Sequence, residues 1–135
     1  IRGGQSDVEL YGELIERLEQ YGDVLTEHVG SETVQADETQ AGMTDGDIHE
    51  QDMAWLREAD AVVAEVTTPS LGVGYELGRA LELGKPILCL YRPDGDHDLS
   101  AMIRGSGDIT VTEYEQPDEA EAQFGAFLDG IDDAA

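Results

Sequence analysis

The chain has 135 residues, 7 of them Lys or Arg and 31 Asp or Glu, for a net charge of −24. Without a basic patch to neutralise phosphates, duplex DNA and RNA are poor partners, and no apolar stretch is long enough to span a membrane. Hydrophobic residues still make up 40% and recur periodically, which argues against disorder and for one folded domain over residues 1–135. The acids are spread along the whole chain, as on the hydrated surface of a salt-adapted protein. No signal peptide is visible, so a cytoplasmic protein is expected.

Ile1-Arg2-Gly3-Gly4 opens on a Gly-rich turn of the kind that follows a strand. A first strand is therefore expected ahead of it and missing from the chain; the alternative is a loose terminus. Ser6 and Glu9 have capping-box spacing. Val8, Tyr11, Leu14, Ile15 and Leu18 then share one face of an amphipathic helix to about Tyr21, ended by Gly22. Asp23 to His28 predicts a strand. Residues 29–43 are polar, acidic and aperiodic, a length that often forms an active-site loop or lid. Thr44 and Asp47 are placed to cap a helix over about 45–58, with Ile48, Met53, Trp55 and Leu56 as apolar positions.

Ala61 to Val66 is a short apolar run, as in a strand covered on both faces. Thr67-Thr68-Pro69-Ser70 breaks it, and a helix follows over about 73–83, stopped by Gly84 and Pro86. Pro86 to Tyr91 predicts the next strand. It holds Cys89, the one cysteine, which is expected to pack as a small hydrophobe. A turn-rich loop (92–98), a short helical turn (99–103), a last strand (109–113) and a closing helix (about 117–129) complete the chain. Strands alternating with helices imply right-handed βαβ crossovers. The expected fold is α/β: a three-layer flavodoxin-like or Rossmann-like sandwich around a parallel five-stranded sheet, the absent first strand included.

In such sheets ligands bind beyond the carboxyl ends of the strands. Glu76 is expected there, in the first turn of its helix. A favourable helix dipole is the commoner reason for an acid at that position, but Gly72 and Gly74 let backbone approach a ligand and Ser70 offers a hydroxyl. The N–H groups of that turn suit a phosphate, although no Walker or dinucleotide motif is present. Asp52 is a second candidate carboxylate on the preceding helix, against the alternative of solvated surface. His49-Glu50 lacks the second His of a zinc helix, since Met53 stands at that position. His28 at a strand end, Ser100 and Arg104 near another, and Arg2 with Gly3 and Gly4 as an anion nest are weaker candidates, each with a structural reading beside it. These residues describe a crevice for an anionic ligand with one or two carboxylates. They do not name a reaction.

Several blocks together go further. Ile1-Arg2-Gly3-Gly4, Leu25-Thr26-Glu27-His28, Ile48-His49-Glu50-Gln51-Asp52, Ala64-Glu65-Val66-Thr67, the run from Pro69 to Ala80, and Leu99 to Gly105 occur in this order. They resemble the 2′-deoxynucleoside 5′-monophosphate N-glycosidase family of the nucleoside 2-deoxyribosyltransferase superfamily. The resemblance implies hydrolysis of the N-glycosidic bond without a cofactor. It assigns Glu76 as nucleophilic carboxylate and Asp52 as the second catalytic carboxylate. Ser70, Gly72 and Ser100 hold the nucleotide, the serines at its phosphate; Ile1, Arg2, Gly3, Gly4 and His28 make further contacts, with Met102 close by. It also implies a homodimer in which the Ser100 segment completes the neighbour's site. The chain departs from the family in one respect: the strand before Ile1 carries a catalytic tyrosine there, which neither Tyr11 nor Tyr75 replaces. A deoxyribosyltransferase and a non-catalytic nucleotide-binding module are the alternatives.

Overall fold

A computed structural model describes residues 8–25, 42–93 and 98–134. Its elements in order are α1 (Val8–Leu18), α2 (Asp45–Glu58), β1 (Val62–Glu65), α3 (Leu71–Glu82), β2 (Ile87–Tyr91), α4 (Ala101–Arg104), β3 (Ile109–Glu113) and α5 (Pro117–Ala134). The strands are parallel in the order β1-β2-β3, with Val62 opposite Ile87 and Ile87 opposite Ile109. Among the described residues the sheet therefore has three strands, where five are expected from sequence. Of the predicted strand at 23–28, Asp23 to Leu25 are irregular and the remainder lies outside the described residues. So do Ile1, Arg2, Gly3, Gly4, the Ser6 cap, His28 and residues 29–41.

β2 explains why the layers form. All five of its residues are buried, and alternate side chains leave opposite faces of the sheet. Ile87, Cys89 and Tyr91 join Met53 and Leu56 of α2 and Val73, Leu77 and Ala80 of α3 in one apolar cluster. Leu88 and Leu90 join Leu14 of α1 and Ala120 and Phe124 of α5 in another. Helices thus cover both faces, and the near-continuous apolar strand is what two-sided burial requires. Cys89 is fully buried, and burial pushes its thiol up to about 12, so it serves as packing.

Local signals set the helix ends. Thr44 caps α2 with a full capping box: its side chain accepts from Asp47 N–H at 3.0 Å while Asp47 accepts from Thr44 N–H at 3.0 Å. Such a cap contributes about 1 kcal/mol. α3 begins earlier than its periodicity predicts, at Leu71, because Ser70 is its N-cap. Glu76 consequently lies in the second turn, not the first, and its environment owes less to the helix dipole. Gly84 closes α3 with φ of 74°, a left-handed conformation that favours glycine. α1 stops at Leu18, short of the expected Tyr21, and α5 runs on to Ala134.

Candidate active site

A cavity of about 270 Å³ lies along β1, from Asp60 and Ala61 at one end to Glu65 at the other. Tyr11, Leu14 and Leu18 of α1 wall one side, and Trp55 and Leu56 of α2 the other. Val24 and Leu25 stand in its lining with β1. Two carboxylates from different helices reach it: Asp52 from α2 and Glu76 from α3. Both side chains are half-buried.

Burial dominates their electrostatics. Loss of water around Glu76 pushes its carboxyl up from 4.5 to about 7, and the nearby charge of Asp52 pushes in the same direction. Asp52 is raised by burial as well, with His49 pulling it back. Two carboxyls held high by the same cavity can keep a proton between them near neutral pH, which is the arrangement acid–base chemistry needs.

Ser70 begins the helix that carries Glu76. Its Oγ accepts a 3.3 Å hydrogen bond from Val73 N–H. A hydroxyl that accepts still has its own proton to donate, so capping and ligand binding are compatible at this oxygen. Gly72 is exposed; a Cβ there would meet only Ser70 Oγ at an ordinary 3.8 Å. The chain itself therefore does not demand glycine at that place.

Ser100 caps the short α4 in the same way, accepting from Met102 N–H at 3.2 Å. Neither Ser100 nor Met102 lines the cavity. Met102 is 82% exposed, as is Leu71 at 97%. The structure thus brings Asp52 and Glu76 together, places Ser70 and Gly72 at the start of the Glu76 helix, and leaves Ser100 and Met102 on the surface. Ile1, Arg2, Gly3, Gly4 and His28 lie outside the described residues. No group of three or more metal-binding side chains occurs among the described residues, and no helix there is long and apolar enough to cross a membrane.

Sequence reasoning gave no role to Glu65, which is buried at the carboxyl end of β1 and lines the same cavity. Its carboxylate accepts from Thr67 N–H at 2.8 Å, from Thr67 Oγ1 at 2.9 Å and from the Tyr114 hydroxyl. Thr67 Oγ1 in turn accepts from Arg92 N–H at 2.9 Å. The cluster ties the carboxyl ends of all three strands together beneath the loop that leads to Ser70. The available signal was an acid inside an otherwise apolar strand, which is rare unless partnered.

The sequence profile of the nucleoside 2-deoxyribosyltransferase family matches residues 2–123. The chain belongs to this family. Among similar proteins, 5-hydroxymethyl-dUMP N-hydrolase of Mus musculus is 60% identical over 108 residues, covering 80% of this chain and 62% of its own length. The Rattus norvegicus protein of the same name is 54% identical over 129 residues, 96% of this chain and 78% of its own. The Homo sapiens protein is 51% identical over 132 residues, 96% of this chain and 75% of its own. The deoxyribosyltransferase family match takes in β1, β2 and β3, both cavity carboxylates and Ser70.

Proposed function

We propose that the protein hydrolyses the N-glycosidic bond of 2′-deoxynucleoside 5′-monophosphates, giving a free base and 2-deoxyribose 5-phosphate. The observation that carries this reading is the convergence of Asp52 and Glu76 in one half-buried cavity, in a chain similar to proteins named 5-hydroxymethyl-dUMP N-hydrolase. The ionised Glu76 attacks C1′, forming an ester as the C1′–N bond breaks. The bond's electron pair goes to the base nitrogen, and Asp52 supplies a proton to the base. Water then adds to C1′, gives a proton back to Asp52 and releases Glu76 as carboxylate. Splitting one hard step in two, with a carboxylate beside an oxocarbenium-like transition state, is chemistry this pair can perform.

The remaining assignments belong to the same reading. The Ser70 hydroxyl and the start of α3 hold the phosphate, and the absent side chain at Gly72 leaves the ligand room. Ile1, Arg2, Gly3, Gly4 and His28 contact the nucleotide, on the strength of their motifs. The exposure of Leu71 and Met102 supports a homodimer in which Ser100 reaches the neighbouring site. The cavity that Val24 and Leu25 line together with β1 supports further strands in the sheet. The charge of −24 supports a salt-adapted protein.

A transferase that passes deoxyribose between bases is the second reading, favoured by the family match. Incubation with deoxyguanosine monophosphate, guanosine monophosphate and deoxyguanosine, followed by chromatography, separates the two. Free guanine from the deoxynucleotide alone is expected, and 5-hydroxymethyl-dUMP releases its base in the same assay. Turnover of deoxyguanosine only when a second base is added points to the transferase. In molar KCl, where the Debye length is about 3 Å, the rate holds or rises, because the repulsion between a phosphate dianion and the acidic protein is screened. A sharp loss with the fold intact excludes salt adaptation.

A further inference from the structure

His49 of α2 and Tyr75 of α3 are joined by a 2.7 Å contact between His49 Nε2 and the Tyr75 hydroxyl. Arg79, one turn along α3, donates to the same hydroxyl at 2.7 Å and lies 5.7 Å from the centre of the Tyr75 ring. On the far side, His49 Nδ1 is 3.3 Å from Glu50 Oε1. A guanidinium only donates, so the Tyr75 oxygen accepts from Arg79. The His49 ring lies between that oxygen and Glu50, and links the cation at Arg79 to the anion at Glu50.

Its place matters more than its strength. His49 precedes Asp52 by three residues, so the two are neighbours on the surface of α2. Tyr75 is adjacent to Glu76. Beneath the chain, Met53 and Leu56 of α2 join Val73, Leu77 and Ala80 of α3 in one apolar cluster. Apolar packing is non-directional; it sets how close the helices lie. A hydrogen-bonded bridge between their outer faces also resists rotation of one against the other, and rotation would swing the two carboxylates apart.

We infer that His49, Tyr75 and Arg79 form a positioning chain that holds the helices bearing Asp52 and Glu76 in register. The inference rests on the proposed roles of the two carboxylates. None of the three residues lines the cavity. They act through Asp52 and Glu76. The charged and titratable groups around His49 are Glu50, Asp52, Tyr75 and Arg79, with Glu82 at 3.9 Å from Arg79.

Tyr75→Phe keeps the ring and removes only the hydroxyl. Its expected effect is a fall of about tenfold in kcat with KM within twofold, as for lost orientation and not lost binding. Without the bridge α2 can turn against α3, which changes the separation and solvation of Asp52 and Glu76. The limbs of the pH profile therefore move as well. His49→Gln presents an amide, able to donate or accept, to the Tyr75 hydroxyl in place of the ring; it keeps kcat within about threefold. A Tyr75→Phe protein whose kcat and pH profile match the parent overturns the inference, as does a His49→Gln protein as slow as Tyr75→Phe. A carbon-13 carboxyl titration of Glu76 and Asp52 by NMR needs no substrate, so it decides the matter even if the parent releases no base. Shifted midpoints in Tyr75→Phe support the chain, and unchanged midpoints overturn it independently of the glycosidase reading.

Discussion

Glu76→Gln is expected to lower base release from a deoxynucleoside monophosphate by at least about a thousandfold, roughly 4 kcal/mol of transition-state stabilisation. The amide is close in shape and retains hydrogen bonding, but it cannot form the ester at C1′ or balance the charge that develops there. The pH dependence of the parent follows from the same group. Burial pushes the Glu76 carboxyl up to about 7, and attack needs the carboxylate, so kcat/KM rises with pH up to that point. Folding stability has the opposite sign. The folded state holds this proton more tightly than the unfolded chain, so the group's contribution is present below about 4.5 and is lost as pH rises through about 7. Removing the charge therefore makes Glu76→Gln at least as stable as the parent at pH 8, while activity disappears. Thermal melts beside the chromatographic assay check both halves. A variant that keeps a tenth of the activity removes Glu76 from the role of nucleophile.

Glu65→Ala has its largest effect on stability. It strands the Tyr114 hydroxyl and two donors of Thr67 in the interior. Leaving buried partners without an acceptor costs about 3–5 kcal/mol, a large share of the 5–15 kcal/mol typical of a whole domain. A fall of about 10 °C in melting temperature is expected for a chain of this length. Tyr114→Phe removes one of the three donors and costs less, about 1–2 kcal/mol. Urea titrations of both variants measure these losses. A Glu65→Ala protein within about 1 kcal/mol of the parent shows that the strand ends do not depend on the cluster.

What could be read from the sequence is what periodicity and local chemistry express. β3 was expected at Ile109–Glu113 and lies there; α2 was expected over about 45–58 and spans Asp45–Glu58, with the Thr44 and Asp47 cap in place. Both rest on signals within a few residues of one another. The start of α3 was misplaced because Ser70 reads equally as a loop hydroxyl and as an N-cap. Long-range partnerships left no local trace. Glu65 meets Tyr114 across 49 residues and His49 meets Tyr75 across 26, and neither pairing has a spacing to recognise. The shared cavity of Asp52 and Glu76 was expected from the crossover topology and the resemblance.

The double use of Ser70 has a cooperative consequence. In the proposed complex its proton points to a phosphate oxygen while its lone pair holds Val73 N–H. Hydrogen bonds in series polarise one another: an oxyanion drawing on the hydroxyl makes that oxygen a better acceptor. Ligand binding then tightens the first turn of α3, one turn ahead of Glu76. Occupancy of the phosphate subsite and order at the reacting carboxylate become two readings of one equilibrium.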